Sequence, residues 1–155
     1  MNKLKIYLDC CCFSRPFDDL SQDKIRFECE AVLAILKACE NGIWNIFGSD
    51  ILDDEISRIP NAFNKLKILM LYSSTSIKVE INDEIINRAK ELQRTANIKP
   101  YDALHLASAE YGGADIFLTT DRKFLNRAEK SNVKIRVSNP AIWIMEVMYN
   151  DLRFE

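Results

Sequence analysis

Short apolar segments typical of β-strands alternate with longer segments of helical periodicity along this chain. Strands joined through helices run parallel, and the connecting helices cover both faces of the sheet. The alternation therefore predicts an α/β fold, a three-layer α/β/α sandwich around a central, mostly parallel sheet of four to five strands. We predict strands over residues 5–11, 43–48, 76–81, 115–120 and 133–137.

Capping and breaking residues mark the helices between these strands. Ser49 is a favourable N-cap, Pro60 and Pro140 begin helical segments, and Asp121 opens a short helix. We find no repeat, linker or low-complexity tract that would divide the chain. The periodicity predicts helices over residues 23–40, 50–58, 60–72, 83–95, 100–111 and 121–129, followed by an amphipathic segment from residue 140.

Length and composition fit one soluble globular domain. The chain has 155 residues, of which 48% are hydrophobic and 28% charged. No segment approaches the roughly 18 consecutive apolar residues that a membrane span requires, and the segment from Met1 to Ile6 lacks the apolar core of a signal peptide. We therefore expect a single domain over residues 1–155, located in the cytoplasm and not in a membrane.

Charge and cysteine content exclude several classes of chemistry. Lys and Arg number 21 against 23 Asp and Glu, so overall charge does not indicate a nucleic-acid-binding protein. The five cysteines lack the spacing of a zinc site, and we expect them to be reduced thiols. They are Cys10, Cys11, Cys12, Cys29 and Cys39. Because His105 is the only histidine, the chemistry must depend on carboxylates.

Two aspartates lie near the carboxyl ends of predicted strands. Asp9 lies at the end of the first strand, and Asp121 lies just beyond residues 116–119. In parallel sheets, sites form at the carboxyl ends of the strands. Each residue also has a purely structural interpretation, since Asp commonly initiates turns and caps helices.

Two further acids occupy unusual helical positions. Glu55 falls in the apolar arc of its predicted helix, where a carboxylate must reach the edge, pair with a cation or serve a function. Asp102 lies in the first turn of a helix that is apolar on nearly every side, although an acid there also complements the helix dipole.

These four carboxylates can converge at the carboxyl edge of one sheet. Several carboxylates cannot share a pocket as anions without a cation, because like charges raise one another's pKa. A site made of carboxylate oxygens favours Mg²⁺ or Mn²⁺, which suit phosphate substrates. The pattern therefore predicts phosphodiester hydrolysis by a water that the metal activates.

Four motifs carry a family resemblance. They are Ile6-Tyr-Leu-Asp9 with Arg15-Pro-Phe-Asp18 after it, Ser49-Asp-Ile-Leu-Asp-Asp-Glu55, Asp102-Ala-Leu-His-Leu-Ala-Ser-Ala109, and Phe117-Leu-Thr-Thr-Asp121 with Phe124. In this order and spacing they resemble the PIN domain, a family of metal-dependent ribonucleases that includes the VapC-type toxins of bacterial and archaeal toxin-antitoxin pairs. The resemblance spans nearly the whole chain.

The resemblance implies roles for individual residues and for the whole protein. Thr119 matches the family's polar residue two positions before its last acid, whereas Cys10 departs from the Thr or Ser that many members carry. The acidic metal-binding and catalytic set corresponds to Asp9, Glu55, Asp102 and Asp121. The implied activity is endoribonuclease cleavage of RNA as the toxin of a type II toxin-antitoxin pair, with a cognate antitoxin as partner.

Additional residues are candidates for substrate contact. Arg15 leaves the first strand where a phosphate would lie, and His105 follows Asp102 by one turn, as a supporting partner or a satisfied core residue. A basic stretch suited to single-stranded or structured RNA comprises Arg122, Lys123, Arg127, Lys130, Lys134 and Arg136, with a solvated helix face as the alternative. Residues 63–72 and 141–149 offer faces for a homodimer or an antitoxin.

Two other functions compete with the nuclease. One is a PIN-like scaffold that binds RNA or a protein partner without cleavage and binds metal poorly. The other is an aspartyl-phosphate phosphotransferase, which typically carries a second Asp two positions after the first; Cys11 stands there in this chain.

Overall fold

A computed structural model describes residues 3–152 and the side chains of residues 3–150. Met1 and Asn2, part of the segment that we expect to lack a signal peptide, lie outside the described residues, as do residues 153–155. Within the described residues, no helix is sufficiently long and apolar to cross a membrane.

Five parallel strands form one sheet in the order β3-β2-β1-β4-β5. Their bounds are β1 Lys5–Leu8, β2 Asn45–Ser49, β3 Ile77–Val79, β4 Ile116–Leu118 and β5 Arg136–Ser138. The register places Ile6 opposite both Ile46 and Ile116. The predicted α/β fold with a parallel central sheet is confirmed.

Eight α-helices connect and cover the strands in the described part of the chain. They are α1 Cys10–Ser14, α2 Asp23–Glu40, α3 Asp50–Ser57, α4 Ala62–Tyr72, α5 Asp83–Ala96, α6 Pro100–Gly112, α7 Arg122–Glu129 and α8 Pro140–Leu152. A 3₁₀ turn over Arg15–Phe17 follows α1. Helix α2 packs against α8, and α5 packs against α6.

The strand β1 lies at the centre of the sheet and within the hydrophobic core. Its residues Ile6, Tyr7 and Leu8 are fully buried, as the apolar run in the sequence predicts. The chain passes from β1 to β2 on one side, and returns to pair β4 on the other. This reversal of strand order opens a crevice at the carboxyl end of β1, which is where Asp9 lies.

Several predicted boundaries differ from the structure. The first strand ends at Leu8, not at residue 11, because the Asp9 side chain accepts a hydrogen bond from Cys10 N and starts α1. The cysteine run is therefore helical. Asn61, not Pro60, caps α4 by accepting from Asn64 N.

The last strand also differs from its prediction. It occupies Arg136–Ser138 instead of residues 133–137, because pairing with β4 sets its position. Backbone pairing of this kind depends on the neighbouring strand and leaves little trace in local apolar periodicity.

Candidate active site

Asp9 is the most buried of the four predicted acids, with 5% of its surface exposed. One carboxylate oxygen accepts from Cys10 N at 2.8 Å, and the other accepts from Thr119 Oγ1 at 2.9 Å. Burial raises the pKa of Asp9, and although His105 lowers it, the net shift is upward. Asp9 is therefore held in place by neutral donors that do not cancel its charge.

Thr119 connects two predicted site residues. It follows β4, donates its hydroxyl to Asp9, and accepts a hydrogen bond from Asp121 N at 3.1 Å. The Cys11 thiol also contacts Asp9, with Sγ 3.5 Å from Oδ2, and lies 3.4 Å from Thr119 Oγ1. The contact of Cys11 with Asp9 was not predicted from the sequence. The only signal for it was the position of Cys11 two residues after Asp9.

Glu55 reaches the same region from α3, which Ser49 caps by accepting from Leu52 N. The Glu55 side chain is 37% exposed, so it lies at the rim of the core and not within it. Its Oε1 is 2.6 Å from His105 Nε2, and this nitrogen is 3.8 Å from Asp9 Oδ1. The position of Glu55 on an apolar arc therefore reflects a side chain directed at the acidic site.

His105 is fully buried and bonded on both ring nitrogens. Nδ1 lies 2.7 Å from the Tyr7 hydroxyl, which lies 2.7 Å from Ser49 Oγ. Because a carboxylate only accepts, His105 Nε2 must donate to Glu55. Burial alone lowers the pKa of His105, but the bond to Glu55 and the charge of Asp9 raise it overall. Tyr7 and Ser49 belong to this network and were not predicted.

Asp102 occupies the first turn of α6 and is partly buried. Burial, followed by the charge of Asp9, raises the pKa of Asp102 to about 7, and the charges of Asp121 and Glu55 add to this effect. The charges of the other three predicted acids therefore act on Asp102, which places it near them.

Asp121 is exposed and caps α7, with Oδ1 accepting from Phe124 N at 3.1 Å. It shares with Asp102 a cavity of about 140 Å³, which is also lined by the basic residues Lys99, Lys123 and Arg127. The basic stretch predicted after Asp121 thus contributes two cations beside the acids, whereas Arg136 pairs with Glu146. Lys99 was missed because it precedes α6, far from that stretch in sequence.

Three side chains form the tightest group that can hold a metal ion. Potential ligand atoms of Asp9, Glu55 and His105 all lie within 4.8 Å of one another, while Asp102 and Asp121 fall outside this group. The carboxylate oxygens suit a hard divalent cation, and Asp9 has a raised pKa that such a cation would reverse. Because His105 Nε2 holds the proton that it donates to Glu55, the carboxylates remain as the ligands in this arrangement, and they fit Mg²⁺ or Mn²⁺ better than a softer metal.

Arg15 does not face the acids as a free cation. Its Nε lies 3.2 Å from Glu28 Oε1 and its Nη1 lies 2.9 Å from Asp18 Oδ2. Only 17% of its side chain is exposed. In this arrangement the guanidinium neutralises carboxylates of its own chain, and the phosphate contact of Arg15 stays a prediction.

Solved structures share this fold at low sequence identity. One is VapBC2 from Rickettsia felis bound to a DNA fragment from their promoter, with a TM-score of 0.56 and 15% identity, covering 88% of this chain and 98% of the other. Another is PAE2754 from Pyrobaculum aerophilum, with a TM-score of 0.54 and 12% identity, covering 92% and 88% of the two chains. No curated protein is similar enough in sequence to match.

A sequence model of one family matches most of the chain. The model of the PIN domain matches residues 6–130, which include Asp9, Glu55, Asp102 and Asp121. The match spans more than half of the chain, and it covers each of the four motifs identified in the sequence. The chain therefore belongs to the PIN domain family.

Proposed function

We propose that this protein is a Mg²⁺- or Mn²⁺-dependent endoribonuclease that cleaves single-stranded RNA. The observation that carries the proposal is the arrangement of Asp9, a buried carboxylate whose charge is not cancelled, beside Glu55 and Asp102. Without a catalytic use for these acids, the fold would be more stable if one of them were replaced, because their mutual repulsion disfavours the ionised forms.

The residues of the chain have distinct roles in the proposed reaction. Asp9 and Glu55 would hold the cation, and Asp102 and Asp121 would complete its surroundings. When bound, the cation would activate the attacking water and neutralise charge on the phosphoryl oxygens. Thr119 orients Asp9, and His105 orients Glu55 by donating from Nε2. These fixed bonds keep the carboxylates in position before substrate arrives.

The RNA backbone has a basic contact surface next to the acids. Lys99, Lys123 and Arg127 line the cavity that contains Asp102 and Asp121. Cations at this position would attract phosphates and reduce repulsion between RNA and the acidic site. This positive charge is a local feature of the surface, because the whole chain has a net charge of −2.

We further propose that the protein is the toxin of a type II toxin-antitoxin pair. Support comes from the similarity of its fold to VapBC2 of Rickettsia felis. A cognate antitoxin would inhibit by covering the acidic cleft. A homodimer stays a prediction, and the exposed side chains of Ile142, Met145 and Met148 on α8 provide an apolar face for it.

Cleavage of a mixed RNA pool tests the proposed activity. Purified protein is incubated with Mg²⁺, Mn²⁺ or EDTA, and the cut sites are mapped. Asp102→Asn and Glu55→Gln are compared with the control Glu40→Gln, an exposed residue at the end of α2. We expect metal-dependent cleavage by the wild type and by Glu40→Gln, with loss of about 100-fold or more in the two site variants.

Two results would contradict the proposal. Undiminished cleavage by both site variants would remove the acids from the mechanism. Absence of cleavage by folded wild-type protein would instead favour a scaffold that binds RNA or a protein without cutting.

A further inference from the structure

A groove of about 360 Å³ opens onto the candidate active site from the side of Glu55. Its inner end is lined by Glu55, Cys10 and Cys11, and its outer end by Phe17 and Asn64. The groove lies between α1 with its following 3₁₀ turn and the helices α3 and α4. We call it the Phe17 groove. A ligand in this groove would be continuous with one that contacts the acids.

Two exposed phenylalanines contact one lysine beside the Phe17 groove, and of these three residues Phe17 itself lines the groove. Phe17 is 38% exposed and Phe63 is 66% exposed. Lys67 Nζ lies 5.4 Å from the ring centroid of Phe17 and 4.2 Å from that of Phe63. Helical spacing on α4 explains the contact of Lys67 with Phe63, but Phe17 comes from a separate element.

Lys67 is available to a ligand in this arrangement. Among the described residues, no carboxylate forms an ion pair with Lys67, so its contacts with the rings leave the charge without an anion. The lysine stem is flexible, and its ammonium binds phosphate as a point charge. Ring faces beside a cation are the combination that single-stranded nucleic acids use, because bases stack on aromatic side chains while cations contact the backbone.

We propose that the Phe17 groove binds a nucleotide next to the scissile phosphate of single-stranded RNA. The base stacks on Phe17 and Phe63 in place of the Lys67 ammonium, which moves from the rings to the phosphate of the same nucleotide. This assignment rests on the proposed ribonuclease function and adds a base-binding subsite to it. The cavity of Lys99, Lys123 and Arg127 contains cations without an exposed aromatic ring, so it would hold the backbone alone.

The lining of the Phe17 groove mixes polar and apolar residues and is less apolar than the groove between α2 and α8, which favours RNA here over an apolar protein helix. Ser14, Asp18 and Asn64 are among the residues that line the Phe17 groove. The larger groove of about 770 Å³ between α2 and α8 is lined mainly by apolar residues, including Phe27 and Met145, and is the better match to an apolar helix of a protein.

Binding of short oligoadenylate tests the subsite apart from catalysis. Affinity is measured by fluorescence anisotropy in Mg²⁺ with the Asp102→Asn protein, which prevents cleavage, and again with an equally long ribose-phosphate strand that lacks bases. The double substitution Phe17→Ala with Phe63→Ala is compared with Met70→Ala, which is 67% exposed on the same helix.

We expect the double substitution to weaken oligoadenylate binding roughly 5- to 150-fold for each stacked base lost. The strand without bases should bind equally to all of these proteins, and Met70→Ala should leave both affinities unchanged. Phe63→Trp should retain affinity, and its added fluorescence should be quenched by oligoadenylate. Lys67→Ala should weaken both strands and reduce the salt dependence, the slope of log K against log salt, by about 0.7.

The opposite results would overturn the assignment. Three results would contradict the subsite and favour a protein partner at this face. They are an unchanged oligoadenylate affinity in the double variant, equal losses of affinity for both strands, and absence of RNA binding by the Asp102→Asn protein. Intact metal-dependent cleavage by the wild type would then preserve the ribonuclease. Phe-dependent binding without any wild-type cleavage would remove the ribonuclease and keep the base-binding groove.

Discussion

Two buried carboxylates in this protein have opposite surroundings. Glu28 is 1% exposed and lies 3.2 Å from both Arg15 Nε and Lys24 Nζ, while Asn139 Nδ2 donates to it at 2.6 Å. Asp9 is 5% exposed, but its close donors are neutral and the nearest cationic group is His105 at 3.8 Å. One carboxylate is neutralised by the chain, whereas the other has further acids around it.

The difference separates a structural acid, Glu28, from the acid to which we assign a function, Asp9. Glu28 joins α2 to Arg15 in the 3₁₀ turn and, through Asn139, to the start of α8, where Asn139 Oδ1 accepts from Ala141 N at 2.8 Å. Burying a carboxylate is tolerated when cations and donors satisfy it. Asp9 lacks such compensation, and the cation that we propose would account for its position. Neutralising each carboxylate in turn tests this interpretation.

The largest effect on stability is expected for Glu28→Gln. The change keeps the shape of the side chain but removes the buried anion beside Arg15 Nε and Lys24 Nζ. We expect the free energy of unfolding to fall by about 3 kcal/mol, measured by urea denaturation. Glu40→Gln, at an exposed position, should change it by less than about 0.5 kcal/mol. Equal stability of the two variants would show that the Glu28 cluster is not structural.

The matching substitution at the other site, Asp9→Asn, should affect metal binding and not folding. Because burial raises the pKa of Asp9, the ionised form disfavours the metal-free fold near neutral pH, and removing the charge should leave the free energy of unfolding unchanged or higher. Mn²⁺ affinity, measured by calorimetry, should fall by about 100-fold or more. A loss of stability as large as that of Glu28→Gln would show that Asp9, like Glu28, has a structural role.

A smaller effect on Mn²⁺ affinity is expected from a change of pH. The pKa of Asp102 is raised to about 7 in the metal-free protein, so this carboxyl is mostly protonated at pH 6 and mostly ionised at pH 8. Metal binding must displace that proton at the lower pH. We therefore expect Mn²⁺ affinity to fall by about tenfold from pH 8 to pH 6. Asp102→Asn should show a flatter profile, and an equally steep one would assign the proton to another group.

Local pattern predicted much of this architecture. Helix α2 occupies residues 23–40 as its periodicity indicates, and Ser49 and Asp121 cap their helices. Predictions were wrong where a side chain or a neighbouring strand decided the outcome. Asp9 ended β1 early by capping α1, and pairing with β4 shifted β5. Such contacts join residues whose partners a local sequence window does not contain.

The sequence by itself determined the α/β class and the presence of acids after strands, because apolar periodicity and strand-helix alternation are local properties. It also indicated Glu55, whose place on an apolar arc needed an explanation. Only the tertiary structure decided which charges are cancelled. It paired Arg15 with Glu28, bonded His105 to Glu55 and Tyr7, and left Asp9 with neutral donors. The physical reason is that electrostatic compensation depends on distances of a few ångströms between residues far apart in the chain.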